Sequence, residues 1–165
     1  MRVWRVVAGL LLSMSLLETP GYSRASVLLP LVARTASGTL DVPGDLVELA
    51  SAVFLLDVTN ADTEAGDTLN VYIQHSPDGI SYDDFVSFTQ IIGTGAAANR
   101  RATWSALASP ETEHAATGDA TLAAGSVVQG PVAGKWRIKW VIVDVATAGN
   151  QSFTFSVSMD SQRRR

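Results

Sequence analysis

The side chains that could carry out acid–base or nucleophilic chemistry are few in this sequence. It contains two histidines, His75 and His114, and no cysteine. Nucleophilic catalysis needs a base within hydrogen-bond reach of the nucleophile, but His75 ends a predicted strand on its apolar face and His114 lies in a polar loop. The sequence also lacks the Gly-x-Ser-x-Gly motif of α/β-hydrolases. We therefore predict that the protein is not an enzyme and has no catalytic residue and no cofactor.

An acidic segment between two predicted strands is the best candidate for a metal site. Its oxygen-bearing side chains alternate around Gly66 and belong to Asn60, Asp62, Glu64 and Asp67. Calcium binds such clusters, but the segment lacks the bidentate Glu that an EF-hand carries six residues after its glycine. We interpret it as a solvated loop and predict no metal site. A second acidic group, Asp78, Asp83 and Asp84, is interpreted as a hydrated turn.

Two tryptophans, Trp136 and Trp140, lie four residues apart and so share one face of a predicted strand. Paired aromatic rings on a surface can stack against sugars, as in carbohydrate-binding modules. Their neighbours on that face, Ile138 and Ile142, are apolar, which favours a place in the core over a sugar-binding platform.

The opposite face of this strand carries a basic stripe, formed by Lys135, Arg137 and Lys139. Such a stripe could contact an acidic surface of a partner protein. It could equally be a solvated sheet face that discourages edge-to-edge aggregation. The pattern leaves both interpretations open.

The composition narrows the possible classes further. The net charge of −4 argues against a nucleic-acid-binding protein that relies on a basic field. Hydrophobic residues make up 47% of the chain and charged residues 17%, which indicates a folded protein rather than a disordered one. A length of 165 residues suits one domain with a sizeable core.

Residues 1–25 differ from the rest of the sequence. Arg2 and Arg5 precede an uncharged run, residues 6–17, that is too short to span a bilayer. In Ser23-Arg24-Ala25, small residues stand at the two positions where a signal-peptidase site needs them. The segment is therefore a cleaved secretory signal, an N-terminal arm, or a stretch upstream of the true start, and these alternatives remain open.

Beyond residue 25 the hydrophobic pattern has a period of two, which is typical of strands. Short segments rich in Val, Ile, Thr and Phe are separated by turn signals such as Ser76-Pro77-Asp78-Gly79. The predicted strands cover residues 27–33, 39–42, 52–59, 69–75, 80–92, 100–106, 135–145 and 153–159. Pro30 makes the first an edge strand, the apolar faces of 52–59 make it a central strand, and a bulge is expected near Asp83 and Asp84.

These segments predict an all-β protein, a two-sheet antiparallel β-sandwich that is either Ig-like or a jelly roll. We expect the sandwich to cover residues 26–160, with residues 161–165 as a basic tail and residues 109–124 as a long loop. The predicted core contains Phe54, Leu56, Val71, Ile73, Trp136, Ile138, Phe153 and Phe155.

Several segments, taken in order, resemble small structural proteins encoded among the head and tail genes of tailed bacteriophages. They are Val27-Leu28-Leu29-Pro30, Ala33 to Gly38, Phe54 to Thr59, Gln74 to Gly79, Ser87 to Gln90, Trp136 to Trp140 and Ser152 to Val157. The resemblance covers about residues 27–159. Residues 1–25 have no counterpart in it, and the Ala-rich stretch 107–128 is longer than usual.

The resemblance implies a β-sandwich protein of the virion, such as a capsid decoration or cement subunit, and brings no catalytic residue. Its partners would be further copies of the chain, the lattice of the major capsid protein, or both, with no nucleic acid and no membrane. The alternative is an exported bacterial β-sandwich, secreted or on the cell surface: an adhesin, a filament subunit or a carbohydrate-binding module. Cleavage of residues 1–25 as a signal peptide would favour export.

Overall fold

The computed structural model describes most of the chain beyond the N-terminal segment. The described residues are 26–44, 49–108, 118–132, 134–145, 149 and 151–163. They form nine strands and no helix: β1 (Ser26–Arg34), β2 (Gly38–Val42), β3 (Leu49–Asn60), β4 (Thr68–Ser76), β5 (Asp83–Ser87), β6 (Ile91–Ile92), β7 (Ala98–Ser105), β8 (Lys135–Val143) and β9 (Phe153–Arg163). The predictions for residues 1–25, for His114 and for most of the loop 109–124 fall outside the described residues.

The strands form two antiparallel sheets that pack face to face. Sheet A has the order β1-β9-β3-β7, and sheet B has the order β2-β8-β4-β5, with the short β6 also pairing with β4. The prediction of an all-β, two-sheet antiparallel sandwich is therefore confirmed. No helix among the described residues is long and apolar enough to cross a membrane.

The order of the strands identifies the sandwich as a jelly roll rather than an Ig-like fold. Apart from β6, the hydrogen-bonded pairs include β1 with β9, β2 with β8, β3 with β7 and β4 with β5. Each pair joins one early strand to one late strand, as happens when a long antiparallel hairpin is rolled into two sheets. Ring contacts from Phe54 on β3 to Phe85 and Trp136 show that the sheets meet through their inner faces.

The core forms where the period-two pattern turns apolar side chains inward from both sheets. All eight residues predicted for the core are buried, and Phe54, Ile73, Ile138, Phe153 and Phe155 have no exposed surface. β3 lies between β9 and β7, so the prediction of a central strand is confirmed. β1 lies at the edge of sheet A, as the proline within it predicts.

The structure corrects two of the predicted strand boundaries and contains the predicted bulge. The return strand after the hairpin does not begin at Ile80 but at Asp83, because residues 77–82 are held in the turn. The expected bulge is present, with Phe85 as the extra residue between Asp84 and Val86. β9 continues to Arg163, which pairs with Leu49, so residues 161–163 belong to the sheet and not to a basic tail.

The sandwich has two open sides, where the edge strands of the sheets lie opposite each other. On the β5/β7 side the segment 126–132 runs between the two edge strands: Val127 bridges to Val86, and the Gly130 N–H donates to the Ser105 carbonyl at 3.0 Å. On the β1/β2 side the chain crosses from one sheet to the other within residues 35–37.

Candidate functional site

A polar cluster lies on the outer face of sheet B, where the sequence shows only alternating polar positions. Gln74 on β4 and Asp84 on β5 are 0% and 2% exposed. The Gln74 Nε2 donates to Asp84 Oδ1 at 2.6 Å and to Asp119 Oδ1 at 2.8 Å. The Gln74 Oε1 accepts from Arg137 Nε at 2.7 Å. We use the name polar cluster for these four residues together with Lys139.

Asp84 fastens the loop that follows residue 117 onto the sheet. Its carboxylate accepts backbone N–H groups from Ala120, Thr121 and Leu122 at 3.2, 2.7 and 2.9 Å. Together with the bond from Gln74, these contacts use both carboxylate oxygens twice. A carboxylate whose acceptor sites are filled in this way acts as an anchor, because no lone pair is left over for a substrate proton. The sequence interpretation of Asp84 as part of a hydrated turn is therefore wrong.

Asp119 neutralises part of the basic stripe. Its carboxylate lies 2.6 Å from Lys139 Nζ and 3.1 Å from Arg137 Nη2. Partial burial by itself raises the pKa of Asp119. The hydrogen bonds from Lys139 and Gln74 and the nearby positive charges outweigh burial, so that this pKa lies below its ordinary value. Burial raises the pKa of Tyr72, and the charge of Asp84 adds to this effect.

The basic stripe is therefore largely engaged within the chain. The Arg137 guanidinium also stacks over the ring of Tyr82, 3.7 Å from its centroid. Lys135 is the member of the stripe whose side chain is exposed. Of the two interpretations of the stripe, a contact for an acidic partner is weakened, because two of its three charges already have partners.

The acidic segment between β3 and β4 is more ordered than a solvated loop. Asp62 and Asp67 are 8% and 0% exposed, so the prediction of hydrated side chains is wrong for these two residues. The Asp62 carboxylate accepts N–H groups from Glu64 at 2.8 Å and Ser152 at 2.7 Å, and the Asp67 carboxylate accepts the N–H of Val145 at 2.9 Å. The described residues contain no group of three or more acidic or histidine side chains that could hold a metal ion.

The two tryptophans of β8 have separate environments and do not form a platform. Trp136 is 4% exposed and packs edge-on against Phe54, which confirms the core interpretation. Trp140 is partly buried, packs edge-on against Phe155, and donates its indole N–H to the Ala36 carbonyl at 2.8 Å. His75 is partly buried and makes an edge contact with the ring of Phe85.

The guanidinium of Arg34 lies between the sheets on the β1/β2 side of the sandwich. It is 4.5 Å from the ring centroid of Phe155 and 5.2 Å from that of Trp140. It donates to the carbonyls of Pro30, Val32 and Phe155 at 2.8, 3.1 and 2.7 Å. Burial lowers the pKa of Arg34. The guanidinium thereby stabilises the bulge of β1, where two residues, Pro30 and Leu31, stand opposite one residue of β9.

The same side exposes several large apolar side chains. On β1, Val27 is 69% exposed, Leu31 50% and Val32 46%, and on β2 Leu40 is 38% exposed. Single exposed apolar residues are ordinary, but here four of them belong to two edge strands that lie opposite each other. The β1/β2 side is therefore the best candidate for a protein interface among the described residues.

The assignment of the β1/β2 side as the candidate interface rests on the geometry alone. No known family model matches the sequence, and no curated protein matches it.

The residues that sequence reasoning missed are Gln74, Asp119 and Arg34. Gln74 and Asp119 are 45 positions apart along the chain, and no local pattern indicates that they meet. A signal for Arg34 was present, since a proline-containing edge strand leaves carbonyls that a nearby arginine can bind.

Proposed function

We propose that this protein is a non-catalytic structural subunit of the virion of a tailed phage or prophage. It acts as a capsid decoration or cement subunit, or as another head-associated protein, by packing against further copies of itself and against the capsid lattice. Shape complementarity and burial of apolar side chains supply the binding free energy.

The observation that carries this proposal is the exposed apolar surface of the β1/β2 side. Leu31 and Val32 on β1 and Leu40 on β2 are each more than one-third exposed. Association would remove this surface from water, which stabilises the complex by about 25 cal/mol for each Å² of apolar area buried. The gain from one such patch is modest. A subunit bound to an ordered lattice tolerates weak individual contacts, because many copies engage the lattice together.

The fold supports the proposal without deciding it. Jelly rolls occur in viral capsid proteins and also in lectins, and a fold alone does not determine a function. The resemblance to phage head and tail proteins favours the virion. The non-catalytic role is supported by Asp84 and Asp119, because their carboxylates are engaged in contacts that hold a loop in place.

The test is binding of the full chain to expanded, undecorated capsids made from the major capsid protein encoded near this gene. Sedimentation and cryo-microscopy would count the bound copies, and we expect a stoichiometric occupancy that follows the capsid symmetry. Val32→Asp should reduce this occupancy. A matched control is Ile80→Asp, because Ile80 is 83% exposed but lies in the hairpin turn between β4 and β5.

Two outcomes would contradict the proposal. A protein that ignores capsids and does not self-associate has no structural role of this kind. If it also binds a glycan array, the exported sugar-binding module is the better assignment. Equal loss of occupancy in both variants would show that the β1/β2 side is not the contact.

A further inference from the structure

Two of the four sheet edges are blocked by features within the chain. At the edge of sheet A, β1 contains Pro30, which has no N–H to donate, and its register shifts twice along β9. At the edge of sheet B, β5 is covered by the segment 126–128. The Ser87 N–H donates to the Ser126 carbonyl at 2.9 Å, and the Val128 N–H donates to the Phe85 carbonyl at 2.8 Å.

On half of the third edge, β7, the side chain of Gln129 takes the hydrogen-bonding place of a neighbouring strand. The carboxamide of Gln129 accepts the N–H of Ser105 at 2.7 Å and donates to the carbonyl of Thr103 at 2.9 Å. These two bonds reproduce the pair that a neighbouring strand would make. They also show that Thr103 and Ser105 direct their backbone groups away from β3.

The other half of β7 is open among the described residues. In an antiparallel strand every second residue directs its N–H and C=O toward the same neighbour. Asn99 and Arg101 therefore share the outward direction of Thr103, and the sheet partner of β7 is β3 alone. The Asn99 carbonyl accepts one bond from Arg100 Nη1 at 3.2 Å. The Asn99 N–H and both backbone groups of Arg101 are bonded to no described residue.

The fourth edge, β2, is open in the same way. The hydroxyl of Ser37 accepts the N–H of Ile142 and donates to the carbonyl of the same residue. The even-numbered residues of β8 therefore face β2, and their partners are Gly38, Leu40 and Val42. Thr39 and Asp41 then direct their backbone groups away from the sheet. Thr39 and Asp41 are both exposed.

We infer that β2 of one copy adds to the open half of β7 of a second copy. This inference rests on the proposed structural role and names the partner as another molecule of the same chain. In the antiparallel register that uses all the outward groups, Thr39 stands opposite Arg101 and Asp41 stands opposite Asn99. Asp41 is then the diagonal neighbour of Arg101 on one face, close enough for an ion pair.

The two open segments match in length and in charge. β2 has five residues, and the part of β7 that Gln129 leaves uncovered, residues 98–102, also has five. β2 carries the acidic Asp41, whereas β7 carries Arg100 and Arg101. Two copies of β7 would bring arginines together, and two copies of β2 would bring aspartates together. Charge therefore disfavours both symmetric pairings and favours the mixed one.

The consequence is a head-to-tail interface. Because each copy offers β2 on one side and β7 on the other, the contact does not close on itself after two copies. Such an interface builds rings or filaments, depending on the rotation between neighbours. A single five-residue pairing is weak, so self-association should become visible in solution at high protein concentration.

The experiment is sedimentation velocity of the full chain over a range of concentrations, with charge reversals at the two strands. Asp41→Lys and Arg101→Glu should each weaken self-association by about tenfold, because each places like charges beside one another. The double variant should recover most of the loss. The control, Asp160→Lys on β9, makes the same charge change as Asp41→Lys at an exposed position on a strand that lies between β1 and β3, and it should leave association unchanged.

Circular dichroism and a thermal melt of each variant verify that it is folded. If wild type associates and the two reversals have no effect, or the double variant is not rescued, this pairing is wrong while the proposed structural role stands. If wild type is monomeric at every concentration but binds capsids, the contact between copies is wrong and the capsid contact remains. A monomer that also ignores capsids overturns both.

Discussion

The gaps between the edge strands on the two sides of the sandwich are filled by different groups. On the β5/β7 side, the segment 126–132 is bound to both edge strands through backbone hydrogen bonds, and the loop before it is held on the outer face of sheet B by a buried carboxylate, Asp84. The indole of Trp104 has no exposed surface there, and its N–H donates to the Gly130 carbonyl at 3.0 Å. On the β1/β2 side, a guanidinium and the partly buried Trp140 occupy the gap, and large apolar side chains stay in water.

Because of this difference, one side contributes mainly to the stability of the fold and the other keeps surface that a partner could cover. Backbone groups that are bonded within the chain cannot pair with another molecule, so the covered part of the β5/β7 side, which is β5 and residues 103–105 of β7, serves mainly the fold. The β1/β2 side keeps apolar surface and the outward backbone groups of Thr39 and Asp41, which are bonded to no described residue. In the proposed structural role, the covered strand edges stabilise the subunit and the uncovered ones are available to neighbouring copies.

The largest expected effect is on the free energy of unfolding, when one tryptophan from each side is replaced in turn. Trp104→Ala should lower the free energy of unfolding by about 3–5 kcal/mol, because it empties a fully buried site and removes an indole hydrogen bond. Trp140→Ala should cost about 1–3 kcal/mol, since that ring is only partly buried. Urea denaturation measures both. Equal losses would mean that the β1/β2 side contributes as much to the fold as the β5/β7 side.

The next effect concerns the anchor on the closed side. Asp84→Asn keeps the size of the side chain but turns an NH₂ group toward N–H donors. These are the backbone groups of Thr121 and Leu122 or, with the amide flipped, the backbone N–H of Ala120 and the side-chain Nε2 of Gln74. We expect a loss of about 2 kcal/mol, with faster hydrogen exchange at the amides of residues 120–122. In the control, Asp83→Asn, one long bond of 3.3 Å to the Gly118 N–H is affected, and the loss should stay below about 0.5 kcal/mol. Similar losses for both would show that Asp84 is not the anchor.

The sequence predicts the strands and the core well, because both follow from one local property. Alternation with a period of two decides which side chains of β4 or β9 face inward, and burial of Ile73 or Phe155 follows from that alone. Turn chemistry is equally local, and it marked the hairpin at residues 76–79. The jelly-roll order is not local, since it depends on pairs such as β1 with β9 that close more than 100 residues of chain.

The polar cluster shows why the candidate site was harder to predict. Gln74 occupies a position that alternation assigns to solvent, and it is buried because Asp119 and its loop cover it. Asp62 and Asp67 were expected in water because they lie in a polar segment between two strands, but they bind backbone groups of residues that are distant in the sequence. Polar side chains at outward positions reveal nothing about which segment covers them. Their burial is a tertiary property that the pattern of one strand cannot contain.

The smallest effect tests the hairpin that leads into β5 on the closed side. The Asp78 carboxylate accepts the N–H groups of Ile80 and Ser81 and the hydroxyl of Ser76, each at 2.8 Å. The backbone bonds from Ile80 and then Ser81 are the main reason that the pKa of Asp78 falls from 3.8 to about 2. Its carboxylate form is thus favoured by the folded hairpin.

The sign of the pH dependence follows from this lowered pKa. The ionised carboxylate stabilises the folded state fully above the unfolded pKa of 3.8, and that contribution is lost as the pH falls toward 2. The melting temperature of wild type should therefore exceed that of Asp78→Asn by a small margin at pH 7, and the margin should shrink between pH 4 and pH 2. Asp119 also has a lowered pKa, but it is present in both proteins and cancels in the difference. A margin that stays constant down to pH 2 would mean that the charge of Asp78 does not hold the turn, and that Asn accepts the same two N–H groups equally well.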